Sequence, residues 1–239
     1  MNATTTALVT GANKGLGRET VRRLGELGWQ IFLGARDADR GKQAAAELVE
    51  QGLNVEFVPL DVTSVDSIAA AVATVGERTS RLDVLINNAG ILGPIRTPEE
   101  TQAEDFRAVF ETNVFGSVQV THAFLPLLRA AEHPRIVMVS SGMGSLTITS
   151  DPDRLESTLL SLTYTSSKSA LNMITSQYAR ALPGILVNAA DPGYTATDFN
   201  NHAGYQTLLE GTDAIVHLAT LTPDGPTGGY FDRSGRIPW

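Results

Sequence analysis

The sequence predicts one α/β domain, a doubly wound parallel sheet of about seven strands in the order 3-2-1-4-5-6-7 with helices on both faces. Three observations predict it. Short β-prone runs alternate with helical apolar spacing along the chain. The first such run passes directly into a glycine-rich turn that opens a helix. The length of 239 residues and the apolar content of 42% bury one sizeable core and require no second domain.

Thr6 to Thr10 reads as the first strand. It ends in Gly11-Ala12-Asn13-Lys14-Gly15-Leu16-Gly17, after which Arg18 to Leu27 carries helical apolar spacing. Glycines serve where the chain turns tightly, where backbone approaches a pyrophosphate and where helix packs closely on strand. The helix start then offers free N–H groups and partial positive charge to phosphates. An ordinary βα turn is the bland alternative, and the strand-turn-helix context favours phosphate binding over it. Gln30 to Gly34 is the second strand. It is followed by Ala35-Arg36-Asp37, where an acidic residue would normally take the ribose hydroxyls of NAD. Position 35 is Ala, whereas Arg36 and Lys14 can both reach that region and hold a 2′-phosphate at about 1.5–3 kcal/mol per charge-assisted hydrogen bond. NADP(H) is therefore expected in preference to NAD(H), with Asp37 as an opposing charge.

Arg40 to Glu50 reads as a helix, Asn54 to Pro59 as a strand and Ser64 to Thr79 as a helix. Asp61, between the last two, either accepts from an adenine amino group or caps the next helix with its neighbours Thr63 and Ser64. Asp83 to Ile86 is a buried-type strand leading into Asn87-Asn88-Ala89-Gly90. In a doubly wound sheet that turn faces the first glycine loop at the topological switch point, although an Asn-Gly turn with local bonding is the cheaper explanation of the residues taken alone. Helical spacing is expected from Pro98 to Glu111 and on from Thr112 to Ala130, with Asn113 beside the crevice.

Arg135 to Val139 is the fifth strand, closed by Ser140-Ser141-Gly142, and the polar stretch Met143 to Thr163 reads as a loop. Ser169 to Leu182 reads as helix, with Tyr164 and Lys168 four residues apart at its start and on one face. Bringing a phenol from its usual pKa near 10 to about 7 takes roughly 4 kcal/mol. A cation about 4 Å away supplies on the order of that at an effective dielectric near 20. The spacing is sufficient and, alone, not specific. Gly184 to Ala190 is the sixth strand, Asp191 to Asp198 a turn suited to a substrate lid that runs on to about His202, Thr212 to Thr220 a helix and Gly228 to Phe231 a short last strand.

A formal charge of −8 without Lys/Arg runs argues against a nucleic-acid surface. Zero cysteines exclude disulfides, thiolate ligands and a cysteine nucleophile, and His122, His133, His202 and His217 lack zinc-type spacing, so no metal site is expected. The start MNATTTALVTG shows no basic-then-apolar leader and no segment is long enough in apolar residues to span a membrane, so a cytoplasmic protein is expected.

Thr10-Gly11-x3-Gly15-x-Gly17, Asn87-Asn88-Ala89-Gly90, Asn113, Ser141, Tyr164-x3-Lys168 and Pro192-Gly193 occur in the order seen in the short-chain dehydrogenase/reductase family, compact single-domain branch. The resemblance covers essentially the whole chain. The GANKGLG, GARD and GGYF…IPW segments look like carbonyl-reductase-like members that prefer NADPH. The resemblance implies one NAD(P)-binding Rossmann-type domain over residues 1–239, with substrate loops at about 142–163 and 194–205. It implies that Tyr164 protonates a carbonyl oxygen as hydride arrives, that Lys168 lowers the phenol pKa and binds the nicotinamide ribose, that Ser141 bonds the substrate oxygen and that Asn113 holds a relay water. Gly11, Asn13, Lys14, Gly15, Leu16, Gly17, Arg36, Asp61, Val62, Asn88, Ala89, Gly90, Pro192, Gly193, Thr195 and Thr197 would line the cofactor, together with Tyr164 and Lys168.

Ser141 and Tyr164 stand 23 positions apart, longer than the commonest family spacing, so the segment around Asp151 to Ser157 reads as an insertion. It flanks the site and bears on the helix surfaces used for tetramers, which leaves homodimer, homotetramer and monomer open. The expected activity is reversible NADPH-dependent reduction of a small-molecule ketone or aldehyde. A non-catalytic NADP-sensing regulator on the same fold and a 3-oxoacyl-thioester ketoreductase are the competing readings.

Overall fold

The computed structural model describes residues 4–239; Met1, Asn2 and Ala3, part of the segment read above for a leader, lie outside the described residues. Strands β1 (Thr6–Val9), β2 (Gln30–Ala35), β3 (Val55–Pro59), β4 (Val84–Asn87), β5 (Arg135–Val139), β6 (Leu186–Ala190), β7 (Tyr230–Asp232) and β8 (Gly235–Arg236) form one sheet in the order β3-β2-β1-β4-β5-β6-β7-β8. The first seven are parallel and carry the expected order. β8 adds an antiparallel edge on β7. At two residues beyond a turn in which Asp232 Oδ1 accepts from Ser234 N, β8 is too short to leave a periodic signal.

Strand residues alternate between two cores, which is why these strands read as continuous apolar runs. Ala7, Val9, Ile31, Leu33, Ile86, Val137 and Val139 pack under α1 (Gly15–Glu26), α2 (Ala38–Glu50) and α9 (Asp213–Ala219). Leu8, Phe32, Leu85, Ile136 and Met138 pack against α3 (Val65–Arg78), α5 (Ser117–Arg129) and α7 (Leu162–Ala181) on the other face. The carboxyl ends of the seven parallel strands open onto one edge, where the loops gather.

Three expectations are corrected there. The long helix from Pro98 is instead α4 (Ala103–Phe110), whose start is set by Gln102 N donating to Asp105 Oδ2. A π-turn, Glu111–Gly116, then leads into α5 and has Asn113 at its centre. The tyrosine helix begins at Leu162 rather than Ser169, because Ser161 caps it by accepting from Tyr164 N at 3.3 Å. The expected loop 143–163 contains a 3-10 turn at Gly142–Gly144, the short α6 (Leu146–Thr149) and a second 3-10 turn at Leu155–Thr158. The carboxyl end of the chain docks on this segment. Ser145 Oγ donates to Pro238 O, Thr147 N and Oγ1 donate to Trp239 O, and the Trp239 ring stacks on Tyr230 with centroids 5.2 Å apart. Beyond the segment that follows β6 lie a one-turn α8 (Leu208–Gly211) and then α9.

Candidate active site

At the switch point between β1 and β4 the two glycine-bearing turns are stitched together. Asn88 Nδ2 donates to Thr10 O at 2.8 Å and to Gly11 O at 3.1 Å, while Thr10 Oγ1 accepts from the backbone N–H groups of Asn88 and Ala89. The Asn88 amide thus braces the first glycine turn. Gly11 holds φ +62° against Ala89, and a Cβ on Gly17 would stand 2.5 Å from Asn88 Nδ2 and 2.7 Å from Gly11 O. Only a bare Cα fits at position 17. Lys14 precedes α1 in an extended conformation with no side chain capping the helix, so the first N–H groups remain directed outward.

In front of that helix start lies a cavity of about 310 Å³ lined by Asn13, Lys14, Gly15, Arg18, Arg40, Gln43, Ala44 and Glu47. Arg18 is paired with Glu47, whereas Lys14 reaches across to Asp198 at 2.9 Å. Asp37 accepts from Arg40 N, caps α2 and faces the Arg40 guanidinium at 3.4 Å, which draws its charge away from Arg36. Arg36 is exposed and makes no ion pair among the described residues. Sequence reasoning did not single out Arg18 or Arg40. The signal available for Arg40 was its place one turn after Asp37, on the face that α2 turns toward Lys14. Asp61 bonds Thr63 through its backbone N–H and hydroxyl. Burial pushes its carboxyl up, but those two bonds and the charge of Arg36 outweigh it and leave the group below the usual carboxylate range. Val62 packs on the π-turn, where a Cβ at Gly116 would meet it at 2.8 Å.

Tyr164 lies in the first turn of α7 and is 8% exposed. Burial raises its phenol pKa, the Ser141 hydroxyl opposes that shift, and Asp191 reinforces it. Lys168, one turn on and 4% exposed, donates from Nζ to Val139 O at 2.8 Å and lies 5.7 Å from the Tyr164 ring centroid. Burial lowers its pKa to about 8 against the pull of Asp191. The phenol is therefore shifted up rather than down as the sequence led one to expect: burial dominates, and the opposing pull comes from the Ser141 hydroxyl, not from the ammonium. Ser141 leaves β5 with Oγ accepting from Met143 N. Asn113 is fully buried, and its amide is spent on Ile91 N, Ile91 O and Ser167 Oγ, which ties the π-turn to α7. Its Oδ1 and Lys168 Nζ lie 3.3 and 3.6 Å from the position of a Cβ on Gly90. A protonated phenol, a hydroxyl and a desolvated ammonium thus converge from β5 and α7, next to the turn after β4. That set is able to bond an anionic or carbonyl oxygen and to give it a proton.

The segment after β6 covers this place. Gly193, at φ +65°, donates to Asp191 Oδ1, and Pro192 O accepts from Thr195 Oγ1. Thr195 bridges to Gln206, and the Thr197 methyl lies 3.9 Å from a Cβ position on Gly15, so this segment spans the glycine turn. Phe199 in the 3-10 turn Asp198–Asn200 packs on Tyr164 with centroids 5.6 Å apart, and Tyr194 packs on Tyr205 at 6.0 Å. Asp191 was passed over in the sequence because Asp-Pro-Gly reads as a turn. In the fold it is buried beside the Ser141 turn. Among the described residues no His, Cys, Asp and Glu cluster suits a metal, and no helix is long and apolar enough to cross a membrane.

The family model described as short chain dehydrogenase matches residues 5–207. The chain belongs to that family. Members of this short-chain dehydrogenase/reductase family are oxidoreductases that use nicotinamide cofactors. A short-chain dehydrogenase of Penicillium roqueforti (strain FM164) is 41% identical over 222 residues, covering 89% of this chain and 87% of its own. (-)-Isopiperitenone reductase of Mentha piperita is 33% identical and covers 95% of this chain and 96% of its own. That alignment runs over 301 positions against 239 residues here, so the Mentha enzyme carries stretches this short-chain dehydrogenase lacks. Among solved structures, NADPH-bound carbonyl reductase from chicken fatty liver superposes with a TM-score of 0.87 at 30% identity, covering 99% of both chains.

Proposed function

We propose that this short-chain dehydrogenase/reductase reduces a ketone or aldehyde to the alcohol with NADPH, reversibly, through Ser141, Tyr164, Lys168 and Asn113. The observation that carries the reading is the convergence of Tyr164, Ser141 and Lys168 beside the turn after β4, next to a glycine turn whose helix start is open. The cofactor fits the residues present. Position 17 has no room for a Cβ, the α1 start has free N–H groups, and Lys14 and Arg40 line the adjoining cavity. Bound there, NADPH supplies the hydride. Every other task falls to the chain. The Ser141 and Tyr164 hydroxyls bond the substrate oxygen, the buried phenol keeps its proton until negative charge develops on that oxygen, and Lys168 stabilises the phenolate left behind. Asn113 holds the π-turn against α7 and so keeps Lys168 in register with the turn after β4.

Lys14 and Arg36 would hold the 2′-phosphate, with Arg40 beside them. Support for NADP comes from those cations, from the absence of a carboxylate at position 35 and from the NADPH-bound carbonyl reductase among the similar structures. A small carbonyl or alcohol substrate and a cytoplasmic location complete this reading, with homodimer, homotetramer and monomer all open. The test is a carbonyl panel followed at the NADPH absorbance, repeated with NADH and with Tyr164→Phe. Turnover is expected with NADPH and is abolished in the variant, which still binds the cofactor. Undiminished turnover by Tyr164→Phe refutes the mechanism. Micromolar NADPH binding without turnover on any carbonyl points to a regulator instead, and activity confined to carrier-linked thioesters points to a ketoreductase of that class.

A further inference from the structure

Asp191 directly follows β6 and is 5% exposed. Its Oδ1 accepts from Gly193 N at 2.9 Å. Its Oδ2 lies 2.9 Å from where a Cβ on Gly142 would stand, and Glu156 Oε1, from the inserted segment, lies 2.9 Å from that same point. Two carboxylates therefore meet across Gly142, directly behind Ser141, and any side chain at 142 would part them. The groups facing Asp191 come from every element around it. Glu156 and Arg154 belong to the inserted segment, Tyr164 and Lys168 to α7, and Tyr230 and Asp232 to β7. Arg154 is turned to Glu156, with Nε 3.4 Å from Oε2. The Gly142 and Gly193 N–H groups complete the shell.

We propose that Asp191 is an electrostatic positioning residue: ionised, it holds the Tyr164 phenol and the Lys168 ammonium in their protonated forms, and Glu156 across Gly142 sets the pH below which that hold is released. The chemistry is that of a charge shared in a low-dielectric pocket. A negative group near a phenol and an ammonium favours the proton on both. Two carboxylates close together do not ionise freely, so a proton stays on the pair longer than on an exposed acid. Burial pushes the Asp191 carboxyl up to about 6, Glu156 and Asp232 add to it, and the Gly193 and Gly142 N–H groups oppose it. The consequence for the rate rests on the carbonyl-reductase reading. Reduction needs the phenol protonated, so loss of the Asp191 charge moves its alkaline limb to lower pH, while alcohol oxidation gains at lower pH.

The experiment uses the 239-residue chain with ¹³C-ring-labelled tyrosine, which gives five signals, and Tyr164→Phe identifies the one belonging to Tyr164. Its titration is followed by NMR in the wild type, Asp191→Asn and Glu156→Gln, beside pH profiles of NADPH-dependent reduction. Asn keeps an oxygen for Gly193 N–H and removes only the charge. Asp191→Asn is expected to lower the Tyr164 titration by about one unit or more and to move the alkaline limb the same way. Glu156→Gln is expected to leave that limb in place and to shift the acid-side inflexion of the Tyr164 signal to lower pH, which carries the test if Asp191→Asn does not fold. An unmoved phenol titration in a folded Asp191→Asn, or an unmoved acid inflexion in Glu156→Gln, overturns the proposal. The NMR titration needs no turnover. A chain that reduces no carbonyl therefore refutes the function proposed above without touching this test, and full activity with unmoved titrations refutes this proposal alone.

Discussion

Gly17→Ala places a methyl carbon 2.5 Å from Asn88 Nδ2, 2.7 Å from Gly11 O and 2.8 Å from Ala12 Cα. Two of those neighbours are backbone, so the strain cannot be relieved by turning a side chain, and forcing a methyl group into packed space costs about 1–3 kcal/mol. Asn88 must also move, which puts at risk its bonds to Thr10 O and Gly11 O at about 1 kcal/mol each. Alanine is favoured over glycine within a helix by about 1 kcal/mol, which offsets part of the loss. The net expectation is a destabilisation of about 2–3 kcal/mol, or about 4–12 °C in Tm for a chain of this size, together with weakened NADPH binding. Thermal and urea unfolding with a cofactor fluorescence titration measure both. In an Asn88→Ala background the side-chain part of the clash disappears while the backbone part stays, so the two changes should be less than additive. A Gly17→Ala protein as stable as the wild type, with unchanged NADPH affinity, refutes the claim that the two turns are wedged together at this point.

Lys14→Ala and Arg36→Ala should each weaken NADPH by about tenfold or more, with NADH little affected, as expected for loss of one charge-assisted bond of about 1.5–3 kcal/mol; the ratio of kcat/KM for the two cofactors reads it. Lys168 is more acidic in the fold, at about 8, than its ordinary 10.5. Its burial therefore costs stability below about 8, and stability should recover as pH rises from about 8 to 10.5, by on the order of 3 kcal/mol. Denaturant unfolding across that range should show this rise, and Lys168→Met should flatten it. Trp239→Ala removes the ring stacked on Tyr230 and loosens the tail that accepts from Ser145 and Thr147. A loss of about 1–3 kcal/mol is expected, with faster hydrogen exchange over residues 145–149.

The strand order and the crevice were legible because each rests on signals between chain neighbours. Apolar runs ended by Gly11, Asn87 and Ser141 need no distant partner to be read. The start of α7 was misplaced because Ser161 decides it through a cap, and the Ser/Thr-rich stretch before Tyr164 hides a cap among similar residues. Asp37 looked like a competing charge beside Arg36 until α2 was seen to use it as its cap.

By itself, then, the sequence determined the doubly wound sheet, the glycine turn at its switch point and the Tyr164–Lys168 pair, since all three follow from periodicity and short spacing. Tertiary structure alone decided that Asn88 clamps Gly11 from 77 positions away, that Asn113 sits in a π-turn bonded to Ser167, and that Asp191 and Glu156 face each other across Gly142. Those outcomes depend on packing between segments far apart in the chain, where the identity of a residue says nothing of its neighbour. They also place the buried Asp191 carboxylate beside the Ser141 turn, in a segment that reads as ordinary Asp-Pro-Gly.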